Sequence, residues 1–532
     1  MQLAKIVLSL IIAVQLNAQS NFNFYLEPLN ISTLSGLQSF SHGEYQGKWI
    51  IMGGRLDGLH QRQPFAAFGN LGHNNQIIVV DIAAETSQSY PTTSLPTVLY
   101  DQLRSTNMQS YQQDSLLILI GGYGYSSTQA DHITHPYITV VNLKGLLNAL
   151  STGGSINPHF YQILDQEMAV TGGYLEKLYD SYYLVGGQRF DGRYNPHNGP
   201  SFTQSYTSAV RRFQLQNNNG IFSLNWQTAY SDTALFHRRD YNLLPQISLN
   251  GEQSVIAFSG VFQQNVDLPY LNAVHIDTAG YNEIPNFSQY YNHYHCASVA
   301  LYDSANQAMH NVFFGGIAQY FDQNGVLTQD NNVPFVKTIA RVSRDAQGNY
   351  SEHKLAAEMP SLLGAGSEFF IASTVPKTET DIIKFNQLSG DTMLVGYILG
   401  GIESTAPNVF LTNTGTQSSA SNKLFKVYLL NDNSVSESEL NPQSIENWQL
   451  QVSPNPSSNY LRLQFYSEKA EAYSITLQDT QGRLVFNETL NANNASGLRT
   501  EELAVERLAA GQYYLLLQNN EGKQVQQKVI IH

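Results

Sequence analysis

Short apolar runs that each end in a pair of small residues recur between residues 49 and 401. Apolar runs of this length, bounded by glycine and polar segments, are typical of buried β-strands. The pairs follow one another in steps of 68, 65, 73, 56 and 85 residues. A unit that recurs with variable insertions predicts a repeat architecture, here one made of strands. The pairs are Gly53-Gly54, Gly121-Gly122, Gly186-Gly187, Ser259-Gly260, Gly315-Gly316 and Gly400-Gly401.

The first unit shows the strands that one repeat contains. Residues 37–44 alternate in polarity, and the turn 45–47 separates them from the apolar run 48–52. After a long polar loop, the pattern predicts a third strand at 76–81 and a fourth at 86–90. Four antiparallel strands in every unit are the pattern of a β-propeller blade.

The other units repeat this order of strands and turns. Their first turns contain Asp-Ser, Asn-Gly or Ser-Gly pairs, which favour hairpins. We expect six such sheets, and a seventh, degenerate one within residues 316–400 stays open. The predicted third strands of the later units are 137–143, 208–215, 271–277, 336–342 and 423–429.

The glycine pairs and the chain ends predict how the sheets are arranged. A glycine at a crowded axis lets neighbouring backbones approach, and it adopts positive φ at little cost. After the last pair only one good strand remains before a polar segment. We therefore expect residues 22–26 to supply the outer strand of the last sheet, which removes an exposed edge.

Over about residues 21–430 the glycine-punctuated units resemble the kelch-type β-propeller, and a count of the six units predicts six blades. The chain departs from the kelch pattern at Ser259-Gly260, and it has only 3 Trp, so the later Tyr and Trp positions of that pattern are not clear. Its units are also longer than the kelch repeat of about 50 residues.

The N-terminus has the pattern of a secretory signal peptide. Lys5 precedes the apolar stretch 6–14, and the segment 16–18 ends in Ala18, a small residue of the kind found at signal-peptidase cleavage sites. We expect residues 1–18 to be removed and Gln19 to begin the mature chain. The stretch is too short to span a bilayer, and no other segment approaches that length.

A different module follows the repeats. Residues 431–446 are polar and predict a linker, so the repeats would occupy 19–430. About seven short strands within 447–532 predict a small Ig-like β-sandwich. The predicted fold class is therefore all-β: a six-bladed kelch-like β-propeller followed by this sandwich.

The C-terminal module closely resembles the type A sorting domain of proteins that the type IX secretion system exports from Bacteroidetes. The resemblance implies passage through the outer membrane with the secretion machinery as partner, removal of the domain, and either release or attachment to surface lipopolysaccharide. The residues that carry it are Pro454, Asn455, Pro456, Asp479, Gly482, Arg483, Gly511, Tyr513 and Lys528.

Composition excludes several classes of function. The formal net charge of −14 argues against nucleic-acid binding, which depends on clustered Lys and Arg. A single cysteine, Cys296, excludes an intrachain disulfide framework. No metal site and no cofactor are expected, because no nucleotide or metal motif is present.

Candidate binding residues lie in the long loops between second and third strands. These loops and the connections between sheets share one face of a propeller, so their side chains converge at the mouth of its channel. Arginine suits carboxylates and phosphates, whereas tyrosine suits sugar or peptide faces. A structural role remains open for each residue, since pairs such as Arg189 and Asp191 could tie loops together. The candidates are Arg55, Asp57, His60, Tyr123, Tyr125, Arg189, Asp191, Arg193, Tyr194 and Tyr320.

A second feature is the pair His293 and His295. If both lie in the strand that opens the fifth unit, they point the same way. A channel wall without metal is the favoured interpretation, because no third ligand can be identified.

Two functions fit these observations. The favoured one is an exported surface or secreted protein that binds a glycan or protein ligand through its loop face. The alternative is a carbohydrate-active enzyme, of the sugar mutarotase or glycosidase type, with its site at the channel mouth. No catalytic residue can be named from the sequence.

Overall fold

The structure is a computed structural model of the chain. It describes residues 22–63, 66–196, 201–323, 326–431, 438–439, 450–453, 456–467, 471–479, 483–491, 497–520 and 524–532. Nearly all regular elements in these ranges are β-strands, so the protein is all-β. The predicted signal peptide, 1–18, and most of the predicted linker, 431–446, lie outside the described residues.

Six sheets, numbered here along the chain, share a core of four antiparallel strands, given from first to fourth. Sheet 1 comprises Ser41–Tyr45, Lys48–Met52, Gln76–Asp81 and Thr86–Pro91. Sheet 2 comprises Gln109–Gln113, Leu116–Ile120, Tyr137–Asn142 and Phe160–Leu164. Sheet 3 comprises Tyr174–Leu178, Ser181–Val185, Ala209–Asn218 and Ile221–Ser231. Sheet 4 comprises Asn242–Ile247, Gln253–Phe258, Ala273–Ile276 and Tyr281–Glu283. Sheet 5 comprises Ser298–Asp303, Ala308–Phe314, Thr338–Arg344 and Tyr350–Glu358. Sheet 6 comprises Leu363–Ile371, Thr392–Ser404, Leu424–Leu430 and Asn23–Leu29.

Smaller elements occupy the loops. A four-stranded sheet joins the loops of sheets 2 and 3, with strands Tyr123–Ser126, Asp131–Thr134, Gln188–Gly192 and Phe202–Tyr206. Further short strands are Tyr320–Gln323, Val326–Gln329, Ile383–Lys384, Ser418–Ala420 and Ser438–Glu439. The helices are Thr97–Leu103 and Leu143–Thr152, and the 3₁₀ turns are Asn70–Gly72, Asn157–His159, Gln166–Met168 and Phe385–Gln387.

The small-residue pairs join each sheet to the next by the same hydrogen bond. The amide of the second residue of each pair donates to a carbonyl at the entrance to the next first strand, over 2.8 to 3.2 Å. The sixth of these bonds returns to sheet 1, so the contacts form a closed cycle. They run from Gly54 to Ser105, Gly122 to Val170, Gly187 to Arg238, Gly260 to His293, Gly316 to Leu363 and Gly401 to Leu37.

The first residue of each pair explains why glycine is needed there. At Gly121 φ is +65°, and a Cβ would lie only 1.9 Å from the carbonyl oxygen of Val170. Ser259 takes the corresponding position with φ of +51° and donates its hydroxyl to the Tyr270 carbonyl. One unit therefore accepts a small side chain where the others have glycine.

Hydrophobic side chains fill the space between neighbouring sheets. Ile50 and Met52 of sheet 1 pack with Leu117 and Leu119 of sheet 2 in one buried cluster. Similar clusters lie between the later neighbours. Sheet 6 packs on sheet 1 in the same way, where the Trp49 and Phe370 rings stack at 4.0 Å.

The N-terminal strand completes sheet 6, as the sequence predicts. It pairs antiparallel with the third strand of sheet 6, from Asn23 opposite Leu430 to Leu29 opposite Leu424. Phe22 and Phe24 are each only 2% exposed in the cluster between sheets 5 and 6. The two ends of the repeat region therefore meet in one sheet.

Two sequence predictions about this region need correction. The first strand of sheet 1 begins at Ser41 rather than 37, because the amides of Leu37 and Gln38 donate to Ser421 and Arg55 in neighbouring loops instead. Within the described part of 316–400 there is no seventh four-stranded sheet. That interval holds a hairpin, a long loop, the end of sheet 5 and the start of sheet 6.

The C-terminal module forms two sheets around one core. One sheet contains Gln451–Ser453, Tyr460–Ser467 and Gly497–Ala504. The other contains Leu484–Leu490, Tyr473–Asp479, Gly511–Asn519 and Gln524–Ile531. Inward-facing residues such as Leu463, Ile475 and Leu515 are fully buried between them. This is the packing of a small β-sandwich.

Candidate functional site

Two adjoining cavities lie where the six sheets meet. The axial cavity, of about 620 Å³, is lined by the first strands of all six sheets. The loop-face cavity, of about 300 Å³, is lined by the loops after the small-residue pairs and by the segments that connect successive sheets. Both cavities share four lining residues, so the two spaces meet there. These residues are Ser39, Asn107, Asp240 and His295.

Arg55 is the most deeply buried cation of the loop-face cavity. Its side chain is 3% exposed, and two of its nitrogens hold the Asp57 carboxylate at 2.6 and 2.5 Å. The guanidinium also lies over the Phe68 ring, 5.3 Å from its centre. Its Nη1 has no hydrogen-bond partner among the described residues. One donor of a buried, oriented guanidinium is thus left for another acceptor.

Arg239 is a second cation in the same wall. Its Nε lies 3.7 Å from Asp240 Oδ2, too far for a hydrogen bond, and has no other partner in the described chain. Its guanidinium lies over the rings of Phe262 and Phe190, at 5.3 and 5.9 Å. Stacking of this kind fixes the plane of an arginine while leaving its N–H edge free to bind an anion.

His60 and a group of aromatic rings complete the loop-face wall. Burial, together with the nearby Arg239, lowers the pKa of His60 to about 4, so this imidazole is neutral at pH 7. Its Nδ1 has no hydrogen-bond partner among the described residues. A wall of rings with few hydrogen-bonding groups is typical of small-ligand sites. The aromatic lining residues are Phe68, Tyr123, Phe190, Tyr194, Phe262, Tyr294 and Phe410.

Of the ten predicted binding residues, Arg55, His60, Tyr123 and Tyr194 line the loop-face cavity. Asp57 is their neighbour through its ion pair with Arg55. Tyr123 has a structural role as well, since its hydroxyl donates to the Gly192 carbonyl and accepts from the Tyr194 amide.

The other five predicted residues do not line either cavity. Arg189 pairs with Asp191 two residues away on the same strand, at 2.8 Å. Arg193 donates to the Ala67 carbonyl at 2.9 Å, which ties two loops together. Tyr125 lies against Arg104, and Tyr320 packs on Tyr290. The structural role that the sequence left open for Arg189 and Asp191 therefore fits their contacts.

Several cavity-lining residues that the loop prediction missed lie in the connections between sheets. Arg239 and Asp240 precede sheet 4, and Tyr294 and His295 precede sheet 5. Their only sequence signal is position, because each stands a few residues before a predicted first strand.

The expected strand position of His293 and His295, on which their common direction depended, is wrong. Neither residue lies in a strand, since the first strand of sheet 5 begins at Ser298. His293 is buried, with one ring nitrogen bonded to the Gln289 carbonyl and the other to the Gln319 amide. Only His295 lines the cavities.

The Glu368 carboxylate lies between two histidines in the axial wall. Its Oε1 is 3.2 Å from His295 Nε2, and its Oε2 is 4.0 Å from His42 Nε2. Burial lowers the pKa of both imidazoles, but the Glu368 charge brings the pKa of His295 above its ordinary value, while that of His42 stays below. The His295 contact is an ion pair without hydrogen-bond alignment.

Within the described residues, no three His, Cys, Asp or Glu side chains are grouped so that they could hold a metal ion. Cys296 is buried beside Asn242, and burial raises the pKa of its thiol to about 12, so it is not a reactive thiolate.

The C-terminal module matches a known family. Residues 451–532 match the secretion system C-terminal sorting domain. The protein is therefore exported by the type IX secretion machinery and is secreted or located at the cell surface.

Of the motif residues, Asp479 holds Arg483 by an ion pair at 2.7 Å, and the Tyr513 hydroxyl donates to the Ala509 carbonyl. Gly511 opens a strand and Pro456 is exposed; Pro454, Asn455, Gly482 and the Lys528 side chain lie outside the described part.

Comparisons of the whole chain with known proteins identify no family for the repeat region. No curated protein matches it. A solved structure titled "Structure of YjhT" is similar over 76% of this chain and 99% of that chain, with 10% identity and a TM-score of 0.42. No helix in the described ranges is both long and apolar enough to cross a membrane.

Proposed function

We propose that the protein is an exported, six-bladed kelch-like β-propeller that binds an acidic glycan in its loop-face cavity. The propeller is supported by the six sheets joined in a cycle through the same hydrogen bond. Residues 1–18 serve as its signal peptide, and 431–446 link it to the sorting domain. These two assignments rest on the sequence pattern alone.

The buried guanidinium of Arg55, with one unpartnered nitrogen, is the observation that carries the proposed ligand class. A buried donor without a partner is unfavourable by about 1–3 kcal/mol, and a ligand oxygen would relieve this. Arg239 supplies a second such nitrogen in the same wall. A carboxylate suits two guanidinium groups, and the aromatic rings suit the apolar face of a sugar.

Isothermal titration of the mature chain with methyl glucuronide and with methyl glucoside tests this proposal. The two sugars differ in one carboxylate, so the acidic one should bind measurably tighter. Arg239→Gln should weaken binding about ten- to hundredfold, the value of a charge-assisted hydrogen bond. Arg189→Gln is the matched control, because that arginine is outside the cavity.

Equal binding of the two sugars, or equal loss in the two variants, would contradict the acidic-glycan assignment. If neither sugar binds but an acidic protein does, the ligand is a protein, and loss of its binding in Arg239→Gln would place the contact at the cavity. Circular dichroism of both variants shows whether a loss of binding is a loss of folding.

The enzyme alternative has one supporting observation, the His295–Glu368 pair at the junction of the two cavities. A histidine paired with a carboxylate can act as a general acid or base. Exchange spectroscopy of sugar anomers tests this alternative. A rate increase that His295→Gln abolishes would favour the enzyme, whereas no increase with bound ligand would favour a binding protein.

A further inference from the structure

The axial cavity is lined by many more acidic than basic side chains. Seven carboxylate side chains line it, and they belong to sheets 1, 2, 3 and 6, the connection before sheet 4, and the loop between the first two strands of sheet 6. The lining contains no arginine and one lysine. The seven residues are Glu44, Asp114, Glu176, Asp240, Glu368, Glu379 and Asp381.

The chain itself places one ammonium group in this space. Lys377 Nζ lies 2.6 Å from the Asp381 carboxylate, and both residues line the cavity. They belong to the loop between Ile371 and Thr392, where the other five sheets have short turns. Asp240 also lies beside Arg239, and Glu368 beside His295, so four of the seven carboxyl groups have no ion pair among the described residues: Glu44, Asp114, Glu176 and Glu379.

Burial raises the pKa of three of these carboxyl groups, Glu44, Glu176 and Asp240. It raises the pKa of Glu176 to about 8, and Asp381 adds to this increase. It also raises the pKa of Glu44, which Lys377 partly opposes and Asp381 increases. A positive ligand would stabilise the ionised form of these side chains.

An independent observation points to a ligand with hydrogen-bond donors. Gln109 is 3% exposed and lines the axial cavity. Its Nε2 donates to the Asn107 carbonyl at 2.7 Å, but its buried Oε1 has no partner among the described residues. A buried acceptor without a donor is unfavourable, and an ammonium N–H would satisfy it.

We propose that the axial cavity binds an organic polyamine, with its ammonium groups distributed among carboxylates from different sheets. A single metal ion fits less well, because the described residues contain no group of three ligands close enough to hold one. Carboxylates spread around a cavity of about 620 Å³ suit an extended ligand with several charges. This proposal does not depend on the function assigned to the loop-face cavity.

Isothermal titration of the mature chain with spermidine tests the proposal, with 1,8-octanediol as an uncharged chain and calcium chloride as a divalent ion. We expect saturable spermidine binding that weakens with added salt, and no binding of the diol. Glu176→Gln should weaken spermidine binding about tenfold. Glu252→Gln, an exposed carboxylate outside both cavities, should leave it unchanged.

Absence of spermidine binding would overturn the proposal, and so would equal binding of the diol. Tighter binding of calcium would replace it with a metal site. Thermal melts confirm that the variants fold, and Glu44→Gln serves as the second variant if Glu176→Gln does not. A folded cavity variant that binds spermidine as tightly as the unchanged protein would also overturn it.

Discussion

The amide of Gly401 donates a hydrogen bond of 2.9 Å to the carbonyl of Leu37. These residues are more than 360 positions apart, yet their bond is equivalent to the five that join consecutive sheets. Sheet 6 is therefore joined to sheet 1 by the same type of hydrogen bond that joins the other neighbouring sheets, and the rings of Trp49 and Phe370 stack between these two sheets.

Gly121→Ala should destabilise the protein by about 2–5 kcal/mol, because the new Cβ would meet the Val170 carbonyl in addition to straining the backbone. Gly153→Ala is the matched control. Gly153 has a similar φ of +71° with nothing within 4 Å of the added Cβ, so it should lose only about 1–2 kcal/mol. Urea unfolding measures both, and equal losses would show that the close contact is unimportant.

Phe24→Ala should lower the free energy of unfolding by roughly 3–5 kcal/mol, since Phe24 is only 2% exposed and packs between sheets 5 and 6. Tyr25 on the same strand is 52% exposed, so Tyr25→Ala should cost less than about 1 kcal/mol. The free energy of unfolding separates the two. Similar small effects would mean that the N-terminal strand does not complete sheet 6 in solution.

Glu352 predicts a dependence of stability on pH. Burial raises its pKa to about 8, against the opposing effect of the Tyr290 and Tyr291 amides, which donate to the carboxylate. The folded state binds the proton of this carboxyl more tightly than the unfolded state does. The resulting contribution to the free energy of unfolding is complete at pH values below the ordinary pKa of 4.5, and it is lost as the pH rises toward 8.

The measurement is the melting temperature of the protein and of Glu352→Gln from pH 4 to 9. The variant keeps an acceptor oxygen but does not titrate, so its advantage should grow between pH 4.5 and 8 and then level off. A difference that stays constant with pH would show that the carboxyl is not shifted.

Removal of residues 451–532 should stop export at the outer membrane. The sorting domain directs that step, whereas the repeats have their own core and should still fold. Fractionation and surface proteolysis of cells locate the truncated chain, with the full chain as control. A truncated chain that reaches the surface would show that the repeats carry a second export signal.

The repeat unit could be predicted from the sequence because the residues that define it, an apolar run and a pair of small residues, are adjacent in the chain. Gly121 and Gly122 follow an apolar run, and the same contacts recur wherever that pattern occurs. The site was harder to predict. Arg55 and Arg189 each follow a glycine pair closely and are each followed by an aspartate two residues later, yet only Arg55 is buried in the cavity wall.

The difference between those two arginines arises from tertiary packing. Arg55 lies over the Phe68 ring of its own loop. Arg189 belongs to a strand that pairs with Phe202–Tyr206 of its own loop and, at Asp191, with Ile133 of the neighbouring loop. Arg239 was missed because connections between sheets have no residue pattern of their own. Which side chains line the cavities depends on how segments from six sheets meet, and the sequence of one segment does not contain that information.

The pairing of Asn23–Leu29 with Leu424–Leu430 sets the order of events during biogenesis. The first described strand stays without its partner until about four hundred further residues have followed it, so sheet 6 can be completed only when most of the chain is present. The sorting domain follows that last partner within about twenty residues. The sorting domain therefore becomes available to the export machinery at almost the same stage at which sheet 6 can be completed.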